Sequence, residues 1–291
     1  MELAVSQKLL CKMSRKTSYF LVIVLGVTVS VLSRQSINAQ QPIAATTRPF
    51  EPVEELQYEA EFNRSLIRGL NIADFKFRSA RTPNVENGNG SKPVSLVFRA
   101  DVASKGFFTR LFNLKFHEQV ESTVDAETLT LQRTTIRDEQ GKRVRETETT
   151  YDRAKGKMAW TRRDPNNPTA EPNKALVDFS GQLQDILSAI YFIRTQPLHL
   201  GNSFEIFIGD GGKVYRVPVR VLEKKKLKTV LGSVNAFRVE PDLFGPDSLI
   251  DGEKGQFTLW ITDDGRHIPV TAKIKTDYGT FDIKLKKAVY N

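Results

Sequence analysis

The sequence predicts an all-β protein with one principal helix, in which an antiparallel, strongly curved sheet or open half-barrel packs the helix on its concave side. Long stretches alternate apolar and polar residues with a period of two, as half-buried strands do. Short turn-forming segments separate these stretches, which is typical of antiparallel neighbours. One segment, 180–195, is apolar around so much of a helical surface that we expect it to be buried, and a curved sheet offers it a concave face.

The first 39 residues have the order that is typical of a secretory signal peptide. Tyr19–Ser33 contains no charged residue, and it is preceded by the basic residues Lys8, Lys12, Arg15 and Lys16. The run is shorter than the roughly 20 apolar residues that a membrane span needs. We therefore expect cleavage near Ala39 after only a transient stay in the membrane, and a retained anchor is the alternative. The predicted location is the periplasm or the periplasmic face of the outer membrane.

Two further segments complete the predicted organisation. Residues 40–53 hold three prolines and little apolar periodicity, which predicts a flexible tether. Residues 54–291 are long enough to bury one substantial core, so we expect a single β-rich domain.

Charge and cysteine content exclude several classes of protein. The net charge is +9, and the predicted signal peptide holds five of the 43 basic and one of the 34 acidic residues, which leaves +5. Only Lys224–Lys228 is densely basic, and we interpret it as a solvated turn. Nucleic-acid-binding proteins concentrate basic residues on one element, so we expect no nucleic-acid partner. The single cysteine, Cys11, precedes the apolar run, so an exported chain has no thiol for a disulfide, a zinc site or a nucleophile.

In the first half of the domain, period-two alternation predicts strands at 55–63, 69–78, 94–102, 113–124, 128–137, 143–151 and 157–162. The segment 143–150 is nearly all polar, which favours an edge strand or a protruding ribbon. Ser104–Phe112 is a weaker helical candidate because large apolar side chains cluster there.

In the second half, the same alternation predicts strands at 215–221, 257–261, 268–274 and 279–285, bounded by turns rich in Gly and Asp. The turn Gly209–Lys213 invites comparison with a phosphate-binding loop. That motif leads into a helix, whereas Lys213 is followed by a predicted strand, so we expect an ordinary β-turn.

The principal helix is predicted over Ser180–Arg194. Leu183, Ile186, Leu187 and Ile190 follow helical spacing; Ser180 can cap the start, and Pro197 prevents continuation. Arg194 can cap the last carbonyl groups or form a structural ion pair, since a cation suits this end of the helix dipole. The alternative is that Arg194 recognises an anionic ligand. Asp185 lies too far along the helix to pair with it.

Several separated motifs carry a resemblance to a known family. They are Asp185–Leu198, Gly201, the hairpin Gly211–Tyr215, Gly232 with Val239–Pro241, and Leu259–Val270. In this order they resemble the DUF3108 family, exported bacterial proteins without an established function, over about Leu56–Lys286. The resemblance implies export and a β-rich fold with one principal helix, and it supplies no catalytic residues. The expected architecture is also similar in shape to periplasmic lipoprotein carriers of the LolA and LolB type, although shape alone does not establish function.

The residues themselves suggest no catalytic or metal chemistry. His117, His199 and His267 are well separated and lack the spacing of metal ligands. A strand-to-helix GxSxG motif, which a serine hydrolase of the α/β class requires, is also missing. We therefore expect a protein that is not an enzyme and that has neither cofactor nor metal.

Two functions remain open from the sequence. The first is a periplasmic binding or carrier protein for a lipid or lipoprotein-like apolar ligand, held between the helix and the sheet. In this hypothesis Arg194 lies at the mouth for an anionic head group, and Ile190, Tyr191 and Trp260 line the site. The same side chains can instead fill the space themselves. The second is an envelope assembly factor that recruits a partner protein through exposed strand edges.

Overall fold

The computed structural model describes residues 49–50, 53–65, 67–82, 86–87, 90–91, 95–106, 115–251 and 254–290. The predicted signal peptide, most of the tether and most of the helix at Ser104–Phe112 lie outside these residues. The elements are β1 (Val53–Arg64), β2 (Ile67–Arg81), β3 (Glu86–Asn87), β4 (Gly90–Ser91), β5 (Ser95–Ser104), β6 (Phe116–Asp125), β7 (Leu131–Gln140), β8 (Arg143–Asp152), β9 (Lys157–Arg163), β10 (Asn173–Asp178), β11 (Leu183–Gln184), α1 (Ile186–Ile193), β12 (Ser203–Asp210), β13 (Lys213–Thr229), β14 (Gly232–Pro241), β15 (Gly255–Thr262), β16 (Pro269–Thr276) and β17 (Gly279–Tyr290). Among the described helices, none has the length and apolarity to cross a membrane.

Among the described residues, one open sheet of fifteen strands forms the body of the protein. Its order is β10-β9-β8-β7-β6-β5-β2-β1-β17-β16-β15-β14-β13-β12-β11, and β3 pairs with β4 separately. Neighbours are antiparallel except β11 and β12, which are parallel. The prediction of an all-β fold with one principal helix is confirmed.

The sheet curves until its two ends meet. A Cβ atom built on Gly212, in the β12–β13 turn, would lie 2.7 Å from the Cβ of Ala175 in β10. One built on Gly209 would lie 2.6 Å from the sulfur of Met158 in β9. These strands are far apart in the sheet order, so only strong curvature brings them together. Within the described residues, β10 and β11 share no backbone ladder, and side-chain packing alone closes this seam.

Alternation along the strands builds two buried clusters. In β15, Leu259 and Ile261 join the cluster that contains the buried residues of α1, and Phe257 packs against it. Trp260 lies between them in sequence and belongs to the second cluster. Because successive side chains of a strand point to opposite faces, β15 is buried on both faces at this point.

The helix is shorter than predicted and starts later. Leu183 and Gln184 have apolar spacing that suits a helix, yet their backbones pair with Phe207 and Ile208 of β12. The helix therefore begins at Ile186, and Asp185 caps it where Ser180 was expected to do so. Pairing with β12 satisfies the backbone groups of Leu183 and Gln184, which a longer helix would also have satisfied.

Two other local predictions are wrong. Arg143–Asp152 is not an edge strand, because β8 pairs with β7 on one side and with β9 on the other. Its inward residues Thr147 and Thr149 are buried, so polar side chains face the interior here. Lys224–Lys228 lies within β13 rather than in a turn, since its backbone continues the ladder with β14.

Candidate functional site

The N-terminus of α1 is fixed by polar contacts to the sheet. Asp185 accepts a hydrogen bond from the backbone N–H of Ser188 at 2.6 Å, and the Ser188 hydroxyl accepts one from the backbone N–H of Asp185 at 3.0 Å. This reciprocal arrangement is a capping box. The other carboxylate oxygen of Asp185 accepts hydrogen bonds from Ser122 at 2.6 Å and from Thr134. The start of the helix is therefore bound to β6 and β7.

The C-terminus of α1 is fixed by a buried ion pair. Arg194 donates two hydrogen bonds to the carboxylate of Glu54 in β1, at 2.6 and 2.7 Å, and both side chains are 1% exposed. It donates a third to the carbonyl of Arg266 at 3.0 Å. Burial alone would lower the pKa of Arg194. The hydrogen bonds and the negative charge of Glu54 outweigh this effect and raise the pKa. Arg194 therefore lies inside the protein and not at an open mouth, and its guanidinium is committed to Glu54.

Aromatic rings fill the space beneath the buried face of α1. Tyr191 stacks on Phe98 with ring centroids 3.9 Å apart, and Phe50 meets both rings edge-on. The guanidinium carbon of Arg194 lies 5.3 Å from the centroid of Phe50. Phe50 is buried although it falls in the segment predicted as a tether, because its ring completes this apolar cluster. The structure thus places Tyr191 and Arg194 together, within packed rings.

Ile190 and Trp260 lie elsewhere. The buried residues of α1 are Leu187, Ser188, Ala189, Tyr191, Phe192 and Ile193, whereas Ile186 and Ile190 are half-buried. Residues four apart share a helix face, so these two isoleucines form a partly uncovered apolar face. Trp260 belongs to the other cluster and has the ammonium of Lys225 4.1 Å from its ring centroid. The four predicted site residues therefore do not form one site.

A polar cluster of one buried and two half-buried residues lies where β6, β9 and β12 approach one another, and sequence reasoning missed it. Glu118 in β6 is buried. Arg162 in β9 donates to Thr147 at 3.4 Å. Asp210, at the end of β12, has one carboxylate oxygen that is shielded from water and unpaired. The period-two pattern could have indicated that Glu118, Thr147 and Arg162 face inward. The high polar content of these strands favoured a solvent-exposed ribbon instead.

Burial shifts the pKa values of this cluster. Desolvation raises the pKa of Glu118 well above its usual range, and the negative charges of Asp138 and Asp210 add to the effect. Desolvation also raises the pKa of Asp210 to about 6, against the attraction of Arg162 and a backbone hydrogen bond from Gly211. The cluster thus favours neutral carboxyl groups.

Metal ligation and a surface groove are the other features that bear on a functional site. In the part of the chain that the structure describes, no group of three or more His, Cys, Asp or Glu side chains is placed to hold a metal ion. A groove of about 620 Å³ crosses β2 and β5–β9 and is lined mainly by charged side chains. Cross-strand pairs such as Arg99–Glu121 and Arg133–Glu148, both at 2.8 Å, neutralise much of that charge.

Comparison with known proteins supports the predicted resemblance. A family model described as "Protein of unknown function (DUF3108)" matches residues 57–286, which confirms it. Among solved structures, the chain is similar to one titled "Crystal Structure of Beta-barrel-like Protein of Domain of Unknown Function DUF1849 from Brucella abortus", with a TM-score of 0.51 and 11% identity over 84% of this chain and 99% of that chain. At this identity the likeness concerns the fold alone. No curated protein matches.

Proposed function

We propose that this chain, which belongs to the DUF3108 family of proteins of unknown function, is an exported, non-enzymatic protein of the cell envelope that binds and carries a lipid or lipoprotein-like apolar ligand. Export rests on the signal-peptide pattern of residues 1–39, and the carrier role rests on the half-buried face of α1. N-terminal sequencing of the protein recovered from the periplasm tests export. A chain that begins near residue 40 supports it, and an intact Met1 in the membrane fraction contradicts it.

The observation that carries the ligand proposal is the half-buried face of α1. Ile186 and Ile190 are half-buried, so they present apolar surface that the described residues leave partly uncovered. Burying a large aliphatic side chain completely is worth about 1.5–3 kcal/mol, so an acyl chain laid along this face gains affinity from both isoleucines. The opposite face of α1 is excluded as a binding surface, because Phe50, Phe98 and Tyr191 already fill that space.

The seam of the sheet gives the ligand a route. Side chains of β9 and β10 contact the β12–β13 turn there, and no backbone ladder joins β10 to β11 among the described residues. Separating these ends costs side-chain contacts but breaks no strand hydrogen bonds. By contrast, moving α1 would break the buried pair of Arg194 and Glu54.

Titration with a fluorescent long-chain fatty acid tests the carrier role. We expect saturable binding by the wild type and at least about tenfold weaker binding by Ile190→Glu, since a charge on the contact face loses hydration when ligand binds. Leu200→Glu is the matched control, because Leu200 is exposed and lies outside the helix. No saturable binding by the wild type, or equal affinities for all three proteins, would contradict the proposal.

The second candidate is an envelope interaction protein that acts through a strand edge. The observation that favours it is β10, which ends the sheet and pairs only with β9 among the described strands. A free edge presents unpaired backbone groups that an added strand can use. Covalent cross-linking from residue 176 in whole cells tests this role. An adduct of defined mass supports it, and the absence of any adduct contradicts it.

A further inference from the structure

The free edge of β10 presents a defined set of backbone groups. The N–H of Phe179 donates to the carbonyl of Gly156 at 2.9 Å, which continues the register of β10 on β9. Bonded pairs alternate along an antiparallel ladder. Counting back from Phe179, the backbone groups that face β9 belong to Val177, Ala175 and Asn173. The backbone groups that face the free edge belong to Asp178, Leu176 and Lys174.

The side chains of the edge-facing residues are exposed. Leu176 is 67% exposed, which is the highest value among the exposed large apolar side chains in the described part of the chain. The Asp178 side chain is 82% exposed and forms an ion pair with Lys157 on the neighbouring strand. Lys174 is also exposed and has no ion-pair partner in the described structure. Proteins usually protect an edge strand with charge or with a cover, so an uncovered leucine between two charges points to a partner.

This segment is complementary to itself. If a second β10 runs antiparallel with Leu176 opposite Leu176, then Lys174 of each copy faces Asp178 of the other. Each residue whose backbone faces the free edge then lies opposite such a residue of the second copy. Each such pair exchanges two backbone hydrogen bonds, so about six form in total. Opposite charges placed directly across a ladder stabilise it, whereas like charges destabilise it.

We propose that β10 pairs with β10 of a second copy of this chain, in antiparallel register centred on Leu176. This inference deepens the second proposed function, because it names the partner of the free edge, and it does not rest on ligand carriage. The contact uses six residues from each copy, well below the roughly 20–30 residues a side of a standard stable interface. The dimer is therefore concentration-dependent and in exchange with the monomer.

Leu176→Cys in a Cys11→Ser background tests the register directly. Residues opposite each other in a bonded pair have Cα atoms about 5.5 Å apart, which is within the usual range for a disulfide of about 4.4–6.8 Å. We expect mild oxidation to give a disulfide-linked dimer. Val230→Cys in the same background is the matched control, since Val230 is 55% exposed in the β13–β14 turn, and we expect it to remain monomeric.

Charge reversal then tests the ion pairs. In the Leu176→Cys protein, Lys174→Asp alone and Asp178→Lys alone each place like charges across the ladder, and we expect at least about fivefold less dimer. The double exchange restores opposite charges and is expected to restore the dimer. Thermal melts of all variants identify any loss of folding.

Three outcomes overturn the inference. The first is equal cross-linking of the Val230→Cys control, and the second is failure of the double exchange to restore the dimer. The third is a dominant adduct with a different protein when residue 176 is cross-linked in whole cells. The last outcome leaves the second proposed function intact and refutes only the identity of its partner. Fatty-acid titration of Lys174→Asp separates the inference from the first proposed function, because loss of dimer with unchanged affinity leaves carriage unaffected.

Discussion

The carboxyl group of Asp210 makes the stability of this protein depend on pH in an unusual direction. Burial raises its pKa from 3.8 to about 6 in the folded protein, and one of its oxygens is shielded and unpaired. In the unfolded chain the same group titrates near about 4. Between these values the folded state binds a proton that the unfolded state has lost. Asp210 therefore contributes stability below pH 4 that disappears as the pH rises through about 6.

The size of this effect follows from the shift. A difference of about 2 pKa units at about 1.4 kcal/mol each gives about 3 kcal/mol. Asp210→Asn removes the titration and keeps the shape of the side chain. We expect the free energy of unfolding of Asp210→Asn, minus that of the wild type, to increase by about 3 kcal/mol between pH 4 and pH 7. Any steric cost of the amide is the same at every pH, so it sets only the baseline of this difference.

Urea denaturation at several pH values between 4 and 7 measures this difference. Groups that titrate alike in both proteins cancel in the subtraction, although Glu118 is coupled to Asp210 and contributes part of the change. Asp277→Asn, an exposed turn residue, is the control and should change stability by less than about 0.5 kcal/mol at each pH. A difference between Asp210→Asn and the wild type that stays constant with pH would refute the reasoning.

Three further experiments test how α1 is held. Glu54→Gln should lower the free energy of unfolding by about 3–5 kcal/mol, because it leaves Arg194 as a buried unpaired charge. Combining Glu54→Leu with Arg194→Met should recover much of that loss. Chemical denaturation compares the two proteins. Tyr191→Phe should be neutral or slightly stabilising in thermal melts, because the Tyr191 hydroxyl is buried without a partner. Leu187→Ala should cost about 2–5 kcal/mol and Ile190→Ala clearly less, since only Leu187 is fully buried. Equal losses at Leu187 and Ile190 would mean that the helix presents a different face to the sheet.

Local sequence patterns predicted the strands well because alternation reports burial directly. The segment 257–261 was expected to be a half-buried strand, and β15 spans Gly255–Thr262 with Leu259 and Ile261 in the core. Alternation does not distinguish water from a polar interior, however. Polar residues of β8 were expected to face water, yet Thr147 and Thr149 are buried beside Arg162 and Trp160 of β9.

Long-range pairing was beyond local patterns. Arg194 and Glu54 are 140 residues apart in sequence, and nothing near either residue indicates the other. The sequence could suggest a structural ion pair for Arg194, but it could not identify Glu54. The polar cluster combines Glu118, Arg162 and Asp210 from three separate strands. Only the curvature that brings β12 against β9 makes these residues neighbours.

The strand β10 takes part in both proposals, because it borders the seam through which ligand would enter and also carries the free edge of the sheet. Both ends of α1 are held by buried polar contacts, so opening at the seam costs less than moving the helix. The seam strand is β10, which is also the strand that we propose to pair with a second copy. A β10 held in a dimer is less free to separate from the β12–β13 turn, so ligand should enter the monomer more readily. We therefore expect the rate constant of fatty-acid association per chain to fall as protein concentration rises through the range of dimer formation. An association rate constant that does not change across that range would show that opening takes place away from β10.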